Sequence, residues 1–424
     1  MSTTIQLFDL YPGTSESERT ERFSSLSRKF HTLFPACGEG RFFSSPGRTE
    51  IAGNHTDHNH GKVLAGSVNL DILALAAPRS DGKILLQSDD MPLCEIELDR
   101  DLNPGPDKNG TSLGLIAGVC RARVNRGAPV GGFCAVATSN VPQGSGVSSS
   151  AAFENLIGLI ENVFYGKGED SPVRIAKDSQ YAENVFFGKP CGLMDQIACA
   201  QGGVVAIDFE QADSPVLAPV ERAFSDWDYD LCITGTGGTH ADLTDEYASI
   251  PADMKKIASF FEKDFLRQVD PALFYARLSE VRSACGDRAL MRAMHFFREN
   301  ERVERMCRAL SRSDYDEFLK IVLESGSSSF CRLQNIVPSG AGEEQPVALA
   351  LALSEEVLGR APRPAAWRVH GGGFAGTILA FVPREYTPVY RREMDALFGT
   401  GSCRALQIRP YGAVQIGGES DVLA

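Results

Sequence analysis

Residues 140–152 read NVPQGSGVSSSAA. Upstream, residues 132–139 (GFCAVATS) alternate small and apolar side chains as a half-buried strand does, and downstream, residues 152–164 repeat apolar side chains at helical spacing. The stretch therefore lies where a strand hands over to a helix, with serines on the first turn. A helix start leaves backbone N–H groups unpaired and carries partial positive charge, so an anion docks there without a basic side chain. Gly144 and Gly146 let the backbone approach such an anion closely, and the hydroxyls of Ser145, Ser148, Ser149 and Ser150 add short donors. A serine-capped helix after a flexible turn accounts for the same residues. No Gly-Lys-Ser/Thr follows the glycines, so the stretch is not a Walker A loop, and a nucleotide held here must find its cation and metal elsewhere.

At 424 residues the chain exceeds the roughly 250–300 at which one core stops growing, which predicts two domains. Composition is that of an ordinary globular protein, 43% hydrophobic and 23% charged. A net charge of −13 without a dense basic run argues against nucleic acid or an anionic membrane as partner. The opening MSTTIQLFDLYPG lacks the regions of a signal peptide, and the densest apolar run, residues 347–353, is far too short to span a bilayer. The eleven cysteines include no C-x-x-C pair and are odd in number, so reduced thiols serving as small core residues, in a cytoplasmic protein, are expected.

No repeat, low-complexity segment or long linker interrupts the chain. Strand-like runs at 63–76, 83–87 and 132–138 alternate with helical patterns near 151–164 and 172–187. A strand at 202–209 leads into a polar stretch at 210–219, where a soft boundary divides an N-terminal domain, 1–212, from a C-terminal one, 213–424. The second half opens with a strand at 229–234, turns helix-rich through Glu324, and ends on the strand GTILAFV and a short strand near 412–416. Such segregation predicts α+β domains with a cleft between them.

Three further segments carry ionisable groups. Residues 45–61, SPGRTEIAGNHTDHNHG, read as a polar loop. Its histidines at 55, 58 and 60 fit no standard closed zinc site, whereas Arg48, Asn54, His55 and Asp57 offer the donors and acceptors that vicinal hydroxyls of a sugar require. A plain solvated loop would be equally polar. In residues 180–203, Glu183 lies on a helix and Asp195 on the first turn of the next, two carboxylates that can divide metal binding from proton transfer or merely favour helix starts. The third, RVHGGGFAGT at 368–377, is a glycine-rich turn before a buried strand.

In this order the segments resemble the galactokinase branch of the GHMP small-molecule kinases. The family's Pro-Gly-Arg-x-Asn-x-x-Gly-Glu-His-Thr-Asp-Tyr-Asn-x-Gly is matched by PGRTEIAGNHTDHNHG, and its Asn-x-Pro-x-Gly-x-Gly-x-Ser-Ser-Ser-Ala by residues 140–151. The Ala-Glu and Cys-Gly-x-Met-Asp-Gln stretches appear at 182–183 and 191–196, followed by the triplet Asp245-Glu246-Tyr247, RAMHFFRENERV at 292–303 and RVHGGGFAG. The resemblance implies the two-domain GHMP kinase fold, mixed and antiparallel sheets with helices packed on them, the active site in the interdomain cleft. It implies transfer of a phosphoryl group from ATP to the C1 hydroxyl of galactose or a similar sugar, with Mg2+. Asp195 would accept the hydroxyl proton and Arg48 would stand beside it. Ser150 and Glu183 would hold the metal, Gly144, Ser145, Gly146, Ser148 and Ser149 the phosphates, and Asn54, His55, Asp57, Gly192 and Tyr247 the sugar. A cytoplasmic monomer or weak homodimer is expected.

The sugar end departs from the family. Asn54 replaces the family's Glu, His58 its Tyr, residues 65–67 its Pro-Met-Ala, and residues 234–237 its Thr-Asn-Ser-Asn, while His370 and Ala375 replace Thr and Gly. Asp57, His240 and Tyr247 match. Loss of a carboxylate at position 54 motivates a hexuronate such as galacturonate, or N-acetylgalactosamine, as alternative acceptors. A non-catalytic sugar sensor is a further alternative, against which the complete serine-alanine run, Asp195 and Arg48 weigh; a mevalonate- or homoserine-type kinase would leave the His-Thr-Asp motif idle.

Overall fold

The computed structural model describes residues 7–11, 13–89, 91–142, 146–189, 191–221, 224, 227–238, 243–374 and 376–423. Strands within them are β1 (Arg41–Ala52), β2 (Lys62–Arg79), β3 (Lys83–Ser88), β4 (Cys94–Glu97), β5 (Gly132–Ser139), β6 (Val204–Asp208), β7 (Val216–Pro219), β8 (Tyr229–Gly235), β9 (Ala366–His370), β10 (Thr377–Pro383), β11 (Cys403–Leu406) and β12 (Val414–Gly418). Contacts group the chain into two units: residues 1–48, 66–203 and 408–424 form the first, residues 49–65 and 204–407 the second. The divisions fall inside β1, after Arg48, and inside β2, after Ala65.

In the first unit the sheet order is β12-β1-β2-β5-β3-β4, with the pairs β12–β1, β2–β5 and β3–β4 antiparallel and β3–β5 parallel. Phe23, Phe30, Phe42, Leu73, Leu75 and Val136 build the core between this sheet and the helix Glu16–Leu33, whose start is fixed by a Ser15/Glu18 capping box. The chain's late residues return to this core. β12 pairs with β1 from Arg41↔Gly418 to Ser44↔Val414, and fully buried Asp71 accepts from Tyr11 Oη at 2.8 Å, Arg22 Nη1 at 2.7 Å and Arg409 Nη1 at 3.2 Å. The helix Ser149–Phe164, expected from 151, is buried around nearly its whole circumference from Ala151 to Asn162, as its apolar run requires.

Two features differ from the sequence reading. Residues 45–52 are not loop but the second half of β1, buried throughout. Their polar side chains disguise the strand, since Ser45, Arg48, Thr49 and Glu50 are all buried, and Pro46 lies beyond the last β12 pair at Ser44. The helix expected over 172–187 runs α-helical only from Pro172 to Tyr181 and continues as a π-helical turn, Ala182–Phe187. Gly118 permits this, because a Cβ there would lie 2.6 Å from Ala182 Cα. The wide turn carries Glu183, and such turns recur at functional sites.

The second unit holds the antiparallel sheet β11-β8-β10-β9, the antiparallel pair β6 and β7, and most of the long helices. Ile250, Met254, Phe274, Phe296 and Leu333 form one of its cores; Val347, Val369, Ile378 and Tyr390 form another against the sheet. The helix Asp287–Ser311 buries ionisable residues along one face, Arg292, His295, Glu299 and Arg302. All eleven cysteines are unpaired, and Cys120, Cys134, Cys199, Cys232, Cys285 and Cys403 are buried. No helix among the described residues is long and apolar enough to cross a membrane.

Candidate active site

The start of the helix Ser149–Phe164 leaves its first turn without a side-chain cap. Ser148 stands at the N-cap in the left-handed conformation (φ 59°) and makes no side-chain cap, so the first-turn N–H groups are left for another acceptor. Ser149 and Ser150 occupy the first turn. Gly47 brings β1 against this loop, since a Cβ there would sit 2.6 Å from Val147 O. Gly144 and Ser145 lie outside the described residues.

That approach delivers Arg48. Its Nε and Nη2 donate to Asp195 Oδ1 and Oδ2, both at 2.7 Å, and its Nη1 donates to the Gly146 carbonyl. The two-pronged geometry is the strong form of a guanidinium–carboxylate pair. Ser148 Oγ donates to Asp195 Oδ2 at 2.5 Å. Burial pushes the Asp195 carboxyl up, but Arg48, with the Ser148 bond, outweighs it and holds the group below the usual carboxylate range. Asp195 is thus an ionised acceptor, with a side chain 32% exposed, two residues into the helix Met194–Gln201. Gly192 lies in the turn just before it.

Glu183 is almost fully buried. Its Oε1 accepts from Ser150 Oγ and Lys189 Nζ, each at 3.1 Å, and its Oε2 accepts from Gln196 Nε2 at 2.8 Å. Ser150 and Glu183 therefore present hydroxyl and carboxylate oxygens to one point, a donor set that suits a hard divalent cation completed by phosphate oxygens.

The second unit places the other expected residues. Asn54 is 0% exposed and its amide is saturated. Nδ2 donates to Glu50 Oε1 at 3.0 Å and to Gly371 O at 2.6 Å, while Oδ1 accepts from Asn335 Nδ2 at 2.8 Å and Ser329 Oγ at 3.3 Å. An amide has two donors and two acceptor positions, so none is left for a sugar in this arrangement. His55 Nε2 donates to Gly372 O at 2.8 Å and Tyr247 Oη to Gly373 O at 2.9 Å. Asn54, His55 and Tyr247 thus converge on consecutive carbonyls of the glycine loop. Asp57 sits apart, 3.6 Å from His58, on a short 3-10 turn. His240 and Ala375 are outside the described residues.

A family model described as the galactokinase galactose-binding signature matches residues 28–78, and one described as the GHMP kinases N terminal domain matches residues 115–203. The galactokinase of Actinobacillus pleuropneumoniae serotype 3 (strain JL03) is 30% identical over 356 residues, 82% of this chain and 86% of that protein. The chain belongs to the galactokinase family. The galactokinase of Streptomyces coelicolor is 29% identical over 91% of this chain and 95% of its own length. Among solved structures, the Lactococcus lactis galactokinase complexed with galactose matches with a TM-score of 0.79 at 23% identity, covering 93% of this chain and 100% of that one. A mevalonate kinase matches at 0.60 and 15% identity over 87% of this chain, the same fold at greater distance.

Against the galactokinase motif, sequence reasoning missed Glu50. The family carries Asn at this position and Glu four residues on; this chain carries Glu50 and Asn54. The carboxylate and the amide have changed places and are hydrogen-bonded to each other. Glu50 also pairs with fully buried Arg368, Nη2 to Oε1 at 2.8 Å. Reading position 54 alone registers a lost charge, whereas reading 50 and 54 together registers an exchange. Lys189, beside Glu183, was missed as well.

Two histidines of this galactokinase fold are held neutral. Burial, then His58, pushes His55 down to about 4, and burial pushes His295 down to about 4. The bonds agree, since His295 Nε2 donates to Asn54 O and Nδ1 accepts from Ser328 Oγ, both at 2.9 Å. In the unfolded chain these rings titrate near 6.5, so the unfolded state binds more protons between 6.5 and 4 and stability falls as pH is lowered through that window. We expect Tm to decline there and His295→Gln to flatten the profile; an unchanged slope in the variant would assign the decline to other groups.

Proposed function

We propose that this chain transfers the γ-phosphoryl group of ATP to the C1 hydroxyl of galactose, giving galactose 1-phosphate and ADP. The observation that carries the reading is the Arg48–Asp195 pair beside an uncapped helix start. Sugar phosphorylation needs an acceptor for the hydroxyl proton, positive charge at the transferring phosphoryl, and alignment. Asp195 takes the proton as the C1 oxygen forms its bond to phosphorus and the bond to the ADP oxygen breaks. Arg48 keeps Asp195 ionised and faces the phosphoryl; the N–H groups at Ser149 and Ser150, with Gly146 and Ser148, hold the phosphates. Ser150 and Glu183 are the residues that would hold Mg2+, which supplies charge neutralisation between the β- and γ-phosphates when bound. In the second unit Asn54, His55 and Tyr247 act on the sugar by fixing the glycine loop, with Asp57 as a direct contact; in the first unit Gly192 is another. We take the protein to act as a cytoplasmic monomer or weak homodimer.

Galactose is favoured over a uronate because Glu50 keeps a carboxylate in the buried network that Asn54 occupies, so the motive for an acidic sugar disappears. A coupled ADP-release assay with Mg·ATP is expected to give a kcat/KM for galactose more than about a hundredfold above that for galacturonate. Equal or greater turnover of galacturonate would overturn the choice of sugar, and no ADP release with any aldose or uronate would overturn the kinase reading.

A further inference from the structure

Lys189 follows Gly188, whose φ of 81° turns the chain out of the π-helical segment. Its ammonium lies 3.1 Å from Glu183 Oε1, the oxygen that also accepts from Ser150 Oγ. It therefore competes for the very oxygen that a divalent cation held by Ser150 and Glu183 would need. The side chain is 64% exposed on a flexible four-carbon stem, so its head can change partners at little cost.

We propose that Lys189 is a phosphate-contacting residue: when a cation claims Glu183 Oε1, the ammonium leaves that oxygen for the phosphate oxygens of the bound nucleotide. The proposal rests on the ATP reading above. No bond forms or breaks in this step; one ion pair is exchanged for another. Lys189 thereby adds a second cation to Arg48, and opposes binding of a metal that arrives without phosphate.

The test is calorimetric. Mg·ATP, and Mn2+ alone, are titrated into the wild-type protein, Lys189→Met and Lys189→Arg, with melting curves to confirm folding. Lys189→Met is expected to bind Mg·ATP about tenfold more weakly, the value of one charge-assisted contact, and Mn2+ alone more tightly; Lys189→Arg should keep the Mg·ATP affinity. Unchanged affinities in Lys189→Met would reduce the residue to a surface ion pair and overturn the proposal. A wild-type protein that binds no ATP would instead sink the nucleotide reading itself.

Discussion

Asp195→Asn is expected to lower kcat by about a thousandfold or more, the loss of a positioned proton acceptor. The amide preserves shape, and with its oxygen at the Oδ2 position it can still accept from Arg48 Nη2 and Ser148 Oγ, so ATP affinity should change by less than about threefold. That split between chemistry and binding distinguishes a base from a packing residue, and calorimetry beside the ADP-release assay checks it. A variant keeping more than about a tenth of wild-type kcat would place the base elsewhere. The pH dependence adds an independent sign. Because Arg48 holds the Asp195 carboxyl below the usual range against the effect of burial, the acid limb of the rate profile should lie below the ordinary carboxylate value of 3.8 unless another group intervenes. Arg48→Gln removes that hold and should move the limb upward, with burial then dominating.

Glu50→Gln is expected to destabilise the fold by about 3–5 kcal/mol, because fully buried Arg368 would lose the carboxylate to which it is hydrogen-bonded. Asn54→Glu should be similarly costly, since it sets a second carboxylate against Glu50 at a saturated, fully buried position. The double exchange, Glu50→Asn with Asn54→Glu, writes the galactokinase pattern back and should recover most of the loss. Denaturant unfolding of the four proteins gives the coupling energy directly. Additive losses in the double variant would mean that the two residues changed independently and that the exchange is coincidental.

The strand β5, the helix Ser149–Phe164 behind it and the helical placement of Glu183 and Asp195 were legible because each rests on local rules: alternation in 132–139, helical spacing after 152, and glycines where the chain must turn. Arg48 and Asp195 were paired by resemblance, and their bidentate contact joins residues 147 positions apart that no local rule connects. β1 was illegible for a physical reason. A strand is recognised by apolar faces, and this one buries Thr49, Glu50 and Arg48, whose partners come from distant segments. Asn54 was misplaced by the same limit: its polarity suggested a ligand, while Glu50, Ser329, Asn335 and Gly371 already satisfy it.

The return of residues 408–424 to the first unit sets an order of events during synthesis. Buried Arg409 and strand β12 are partners of Asp71 and β1, which leave the ribosome hundreds of residues earlier. At about 5–20 residues per second, the segment 204–407 takes some tens of seconds to emerge before those partners exist. Through that interval the edge of β1 waits open and Asp71 has Tyr11 and Arg22 but not Arg409, while the second unit already has every residue it needs. The unit that begins first therefore finishes last, its sheet closed only when β12 arrives.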